Sequence, residues 1–237
     1  MKKLLRKKAF TLVELIVAMA IMMILIGAAM AMFTPVSSII KSLDEDAVTN
    51  SVTDTIMGYI SDKLNVATSY NIAGFTDDQM TKSSDEDDSV GKRVKAMLPD
   101  LDLEPNEKMY CMVLRSTTKG YKLYDLGRIT NLVNYNTKAA VALSDDSYSV
   151  FGDEYYNDSR YKFTFDTTVA DKGTWCRIGV NTYDADGNIK ISERVQMFKL
   201  LNMSLLKLTP SSDVALKDYS YSTDLNVVIL YRIKTFG

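Results

Sequence analysis

Histidine is absent from all 237 residues of the chain. Its absence excludes Ser-His-Asp and Cys-His nucleophilic sites and most catalytic zinc sites, because each needs an imidazole as base or ligand. Cysteine is scarce too: Cys111 and Cys176 are the only two, without the C-x-x-C spacing of a redox or zinc site. We therefore predict no catalytic residue, no metal and no cofactor. Cys111 and Cys176 are a candidate disulfide if this part of the chain is exported.

Charge is distributed unevenly along the chain. The first eight residues carry no acid and five cations, which are Lys2, Lys3, Arg6, Lys7 and Lys8. Removing these five charges from the formal net charge of −2 leaves −7 for the remainder. Lysine and arginine are scattered through that acidic remainder, so we expect no direct nucleic-acid binding by phosphate contacts.

A long apolar run follows the basic start. From Phe10 to Phe33 the only ionisable side chain is Glu14. As a helix with a rise of about 1.5 Å per residue this run is about 36 Å long, which exceeds a hydrocarbon core of about 30 Å. The preceding cations favour a cytoplasmic start, which predicts that everything beyond Pro35 lies outside the cytoplasm.

Two general interpretations of this run leave something unexplained. A cleaved secretory signal accounts for the order of basic, apolar and small residues, with Ala29-Met30-Ala31 as a cleavage site, but the run is too long for one. An uncleaved membrane anchor accounts for length and orientation. Both leave Glu14 as a cost, because a carboxylate at the centre of a bilayer costs about 2.5 to 3.5 kcal/mol and less near an end.

The stretch K-A-F-T-L-V-E-L-I-V-A-M-A at positions 8 to 20 resembles the class III signal of type IV pilins and pseudopilins. In that family a membrane peptidase cuts before the Phe and methylates the new amino terminus. The resemblance implies cleavage between Ala9 and Phe10, N-methylation of Phe10, and an assembly function for Glu14. One departure is Ala9, because the family usually has glycine before the cut.

The resemblance also implies what Glu14 does. After cleavage the amine of Phe10 and the carboxylate of Glu14 lie one helical turn apart on one face. Each charge alone is costly in a membrane or filament core, and pairing lowers that cost. In the family the glutamate pairs with the amine of the neighbouring subunit and sets the axial register of assembly.

The pattern after the membrane run predicts an amphipathic helix and then a loop. Apolar residues recur at three- and four-residue steps from Ile40 to Leu64, which indicates a continuation of the helix or a separate surface helix. Acidic residues crowd positions 77 to 88, and Pro99 and Pro105 follow, so residues 73–107 are predicted to be a solvated loop.

Strand patterns fill the rest of the chain. Short stretches rich in Val, Ile, Tyr and Phe alternate with Gly, Asp and Asn turns, and Asp186-Gly187 marks the clearest hairpin. No βαβ alternation appears, so the sheet is predicted to be antiparallel. Asp184, Asp186 and Asn188 have the D-x-D-x-N spacing of a calcium loop without its later glutamate, so the pattern favours a turn. Asp153-Glu154 with Asp184 and Asp186 are the acids that a membrane-tethered hydrolase would use, and surface turns explain them better.

The combined prediction is an α+β protein with a type IV pilin-like fold. Its expected segments are a basic leader (1–9), a transmembrane and assembly helix (10–33), an amphipathic continuation (34–72), an acidic loop (73–107) and a membrane-external antiparallel sheet domain (108–237). In its length and extended, loop-bearing body the chain resembles the larger minor subunits of that family, and I-S-E-R-V-Q-M-F-K-L-L-N weakly resembles the closing strand of such subunits.

The expected function is a structural subunit of a type IV pilus or a related secretion or competence filament, and not an enzyme. Its expected partners are other pilin or pseudopilin subunits, prepilin peptidase and the inner-membrane assembly platform. We expect a single-pass protein of the cytoplasmic membrane that reaches the periplasm or cell surface in a filament. The alternative is a membrane-anchored extracellular binding protein that does not polymerise.

Overall fold

The computed structural model describes residues 11–81, 90–98, 107–118, 120–156, 159–166, 175–183, 186–199 and 225–234. By its internal contacts the chain divides into two units, Met1–Ala47 and Val48–Gly237. Helix α1, Leu12–Asn65, contributes to both. Its part in the first unit is almost wholly exposed, whereas buried residues appear on one side from Thr49 onward.

In its described residues, the second unit combines short helices with seven strands. Along the chain they are β1 (Ser69–Phe75), α2 (Asp77–Thr81), α3 (Val90–Met97), β2 (Glu107–Thr117), β3 (Gly120–Ile129), α4 (Leu132–Ser144), a 3₁₀ turn (Asp153–Tyr156), β4 (Arg160–Asp166), β5 (Trp175–Tyr183), β6 (Ile189–Lys199) and β7 (Asn226–Lys234). Sheet A has the strand order β1-β7-β2-β3 and sheet B the order β4-β5-β6, and every pairing is antiparallel. The α+β prediction with a long N-terminal helix and antiparallel sheets is confirmed, and it matches a type IV pilin-like fold.

Sheet A is covered on both faces. Successive side chains of a strand point to opposite sides, so each strand contributes residues to both faces. One face, with Met112, Leu114 and Ile229, joins the core formed by α1 and sheet B. The other, with Val113, Leu126 and Leu230, joins a core that includes α3 and α4. The sheet therefore separates two hydrophobic cores.

The two cysteines lie in different cores. Cys111 belongs to the core on the α4 side of sheet A and Cys176 to the core on the α1 side. The structure contains them as two buried thiols and not as the candidate disulfide. Burial raises the pKa of the Cys111 thiol, which keeps it protonated. The reason for the difference is the alternation of β2, which turns Cys111 away from the core that contains Cys176.

Two predicted boundaries differ from the structure. Helix α1 ends at Asn65 and not at 72, because the following residues pair with the C-terminal strand: Thr68 N donates to Arg232 O at 2.8 Å, and β1 continues the pairing. The predicted loop 73–107 contains the end of β1 and helices α2 and α3. Helix α3 forms there because Val90, Val94 and Met97 are spaced to bury one face.

Candidate functional site: the start of the membrane helix

Helix α1 begins with a reciprocal pair of hydrogen bonds between Thr11 and Glu14. The backbone N–H of Thr11 donates to Glu14 Oε2 at 2.9 Å, and the backbone N–H of Glu14 donates to Thr11 Oγ1 at 3.3 Å. The Thr11 hydroxyl also donates to Glu14 Oε2 at 3.0 Å. This is a capping box, in which two backbone donors that lack a partner at a helix start are satisfied by side chains three residues apart.

The capping box precedes a long exposed apolar surface. The helix that it starts reaches a mean hydropathy of 2.7 over 18 residues, and none of that window is buried. By length and composition the helix is able to cross a membrane. Glu14 is the only charged side chain between Thr11 and Lys41. Pro35 lies inside the helix without ending it, and Ser38 Oγ donates to Pro35 O at 2.8 Å.

The carboxylate of Glu14 is therefore oriented by its own chain. It lies in the first turn, where the partial positive charge of the helix terminus favours an anion. Its hydrogen bonds with Thr11 offset part of the cost of placing a carboxylate beside apolar surface. The T-x-x-E signature of a capping box is present in the sequence at 11 to 14, and it indicates this local function directly.

The structure describes some of the other candidate residues. Ala9 and Phe10, the expected cleavage and methylation residues, lie outside the described residues, as does Asp184. The β5–β6 hairpin is confirmed, and Gly187 has the positive φ (87°) that its turn was predicted to need. Asp153 lies in the 3₁₀ turn and forms an ion pair with Lys122.

Comparison with protein families identifies the motif. The family described as the prokaryotic N-terminal methylation motif matches residues 4–30. This is the class III prepilin motif of type IV pilins and pseudopilins, and the match confirms the resemblance. Comparisons with curated proteins and with solved structures found no match.

The motif and the fold together support one class of protein. A type IV pilin-like subunit that is processed by prepilin peptidase is supported by the methylation motif and by the long helix packed on antiparallel sheets. The motif implies assembly with other pilin subunits. It also supports anchoring in a membrane through the apolar helix. The pilin family that carries this motif is a structural family.

Proposed function

We propose that the chain is a minor pilin or pseudopilin that is built into a type IV pilus or a related secretion or competence filament. The observation that carries the proposal is Glu14, a lone carboxylate held in the first turn of an exposed apolar helix inside a methylation motif. Prepilin peptidase would remove residues 1–9 between Ala9 and Phe10 and methylate the Phe10 amine. The assembly platform of the inner membrane would then receive the mature subunit.

The capping box adds a physical reason for the position of Glu14. Thr11 holds the carboxylate at the N-terminal end of the helix, close in sequence to the amine that cleavage at Phe10 creates. A carboxylate with a fixed direction pairs better with an incoming amine, because less side-chain freedom is lost when the pair forms. Pairing in an apolar filament core lowers the cost of both charges and fixes the axial register.

The proposal also assigns a location to the apolar segment and to the second unit. Residues 10–33 hold the subunit in the cytoplasmic membrane before assembly, and residues 48–237 form the domain outside the cytoplasm. Processing removes five cations, so the mature chain carries a formal charge of −7 and loses the basic segment that orients the precursor.

Membrane insertion and filament incorporation of Glu14→Ala test the assembly function. The variant keeps the apolar helix, so we expect wild-type amounts in the membrane and in the processed form. We expect incorporation into sheared filaments to fall by about tenfold or more, which corresponds to about 1.4 kcal/mol of lost pairing. Glu45→Ala is the matched control, because Glu45 lies outside the apolar run and pairs with Lys41 in its own helix.

The outcomes separate this function from the alternative. Wild-type incorporation of Glu14→Ala would overturn the assembly function. Intact-mass analysis of the membrane form supplies the second test: a chain that begins with methylated Phe10 supports the pilin pathway. A chain that begins at Met1 would support a membrane-anchored binding protein that does not polymerise.

A further inference from the structure

Two side chains of the β-sheets each hold a pair of residues on helix α1. Arg194 on β6 donates from Nη1 to Asn50 Oδ1 at 3.1 Å, and its Nη2 lies 2.9 Å from Asp54 Oδ2. Asp125 on β3 accepts from the hydroxyl of Tyr59 at 2.6 Å and lies 3.4 Å from Lys63 Nζ. Each sheet residue thus contacts two helix residues that are four positions apart, one turn along the same face.

The two contacts lie on opposite sides of the buried face of α1. Positions 50 and 59, and likewise 54 and 63, are offset by nine residues, which is about 2.5 turns at 3.6 residues per turn. The pair held by Arg194 and the pair held by Asp125 therefore face in nearly opposite directions. Between them lie the buried residues of the helix, namely Val52, Thr53, Ile56, Met57, Ile60, Ser61 and Leu64.

The two sheet residues also have opposite charges. Arg194 meets a carboxylate and an amide oxygen, whereas Asp125 meets an ammonium and a hydroxyl. A shift of the helix by one turn, about 5.4 Å, would break all four contacts. Apolar packing is not directional and opposes such a shift less specifically. Charged hydrogen bonds depend on geometry and oppose it directly.

We propose that Arg194 and Asp125 form a polar bracket, defined by their contacts with Asn50, Asp54, Tyr59 and Lys63. The polar bracket fixes the rotation and the axial position of residues 48–65 against the sheets, so that the helix resists sliding when it is pulled along its axis. This property belongs to the single chain. Its biological value rests on the proposed function, because a subunit that is drawn out of a membrane and held in a filament carries force along α1.

Single-molecule pulling on the full-length chain in detergent micelles tests the polar bracket. Handles are attached at Ser38, which precedes residues 48–65 in α1, and at Thr130 after β3; both are exposed, and the force is transmitted through α1. Tyr59→Phe removes one of the four contacts with little change of shape, and Arg194→Gln removes the two that Arg194 makes, while the ion pair of Lys63 with Asp125 remains. At fixed force we expect each change to speed the detachment of α1 by roughly two- to fivefold, and both together by about tenfold.

Two controls distinguish the polar bracket from general stability. Lys41→Gln breaks an ion pair that stays within α1, with Glu45, and we expect wild-type detachment. Pulling between Thr81 and Thr130 loads the sheet domain without loading the helix, and there the bracket variants should behave like wild type. The charge exchange Arg194→Asp with Asp54→Arg should restore part of the lost resistance.

Either of two results would overturn the proposal. One is wild-type detachment of α1 in the Tyr59→Phe, Arg194→Gln double variant. The other is an equal loss of resistance in both pulling directions, which would show ordinary destabilisation. Neither result depends on filament assembly, so failure of the polar bracket and failure of the proposed function are distinguishable.

Discussion

Glu14 satisfies two different requirements at the scale of a single residue. Its hydrogen bonds with Thr11 complete the first turn of α1, which every helix start needs. Its charge is the only one in an apolar segment, which helix capping alone does not require, because a neutral Gln also completes a capping box. Under the proposed function the carboxylate serves assembly, whereas its position in the helix is explained by capping.

Thr11→Val tests the capping box at this residue. The change keeps the shape of the side chain and removes the hydroxyl that accepts from Glu14 N. We expect the first turn to lose about 1 kcal/mol of stability, so its amides should exchange about fivefold faster in hydrogen-exchange mass spectrometry of the micelle-bound protein. Thr34→Val is the control, because Thr34 lies inside the same helix, away from its start. Unchanged exchange at residues 12–15 in Thr11→Val would refute the capping function.

Sequence reasoning located Glu14 but not its local partner. The cost of a lone acid in an apolar run is visible from composition, so the residue was identifiable by physics alone. The T-L-V-E stretch carries a capping signature beside the family resemblance, and the resemblance alone does not indicate it. Cleavage at Ala9 and Phe10 rests on the resemblance, since no general physical rule places a peptidase site there.

At the scale of elements, strands were easier to predict than short helices. The strand stretches had strong alternation and β-branched or aromatic residues, and they correspond to β2 through β5 and β7. Helix α4 was missed because it lies between strand patterns. Its signal is local: Asn131 Oδ1 accepts from Asn134 N at 2.8 Å, and Tyr135, Ala139 and Ala142 form its buried face.

Strand β1 was missed for a different reason. Its backbone pairs with β7, whose residues lie more than 150 positions later in the chain, and local patterns do not contain that information. The apolar residues of β1 sit just after a strongly helical pattern, so the helix was predicted to continue. Pairing between distant segments overrides local propensity in such cases.

Two glycines differ in whether their backbone conformation requires glycine. Gly187 turns the β5–β6 hairpin with a φ of 87°, where a Cβ is strained, so Gly187→Ala should cost about 1 kcal/mol. Gly58 lies in α1 with open space around its position, so Gly58→Ala should stabilise the helix by up to about 1 kcal/mol. Urea unfolding of the two variants should therefore shift in opposite directions. A shift of both in the same direction would contradict one of the two assignments.

At the scale of the whole molecule, buried tyrosines contribute to both cores. Tyr121, Tyr156, Tyr161 and Tyr231 lie in the core on the α1 side of sheet A, and Tyr124 and Tyr135 in the other core. Rings also meet across elements: those of Tyr110 and Tyr231 stack at 5.6 Å. Composition alone left open whether the fourteen tyrosines serve a core or an adhesive surface. These six belong to the cores.

Because these tyrosines are buried, the free energy of unfolding is expected to fall at alkaline pH. Burial raises the pKa of Tyr156 and of Tyr161 to about 12, and it also raises the pKa of Tyr124 and Tyr231. An unfolded tyrosine has a pKa near 10. Because the folded pKa is the higher one, the full contribution is present below pH 10 and is lost as pH rises from about 10 to 12.

Urea unfolding from pH 8 to 11.5 measures this loss. Each tyrosine that ionises only in the unfolded chain makes the free energy of unfolding fall more steeply with pH, by up to about 1.4 kcal/mol per pH unit. Lysine deprotonation breaks ion pairs in the same range, so the test is a comparison of slopes. Tyr156→Phe lowers stability at every pH, since Leu123 N loses its acceptor. Above pH 10, however, the free energy of unfolding of this variant should fall less steeply than that of wild type. Parallel curves for wild type and Tyr156→Phe would mean that Tyr156 ionises equally in both states and would contradict its burial.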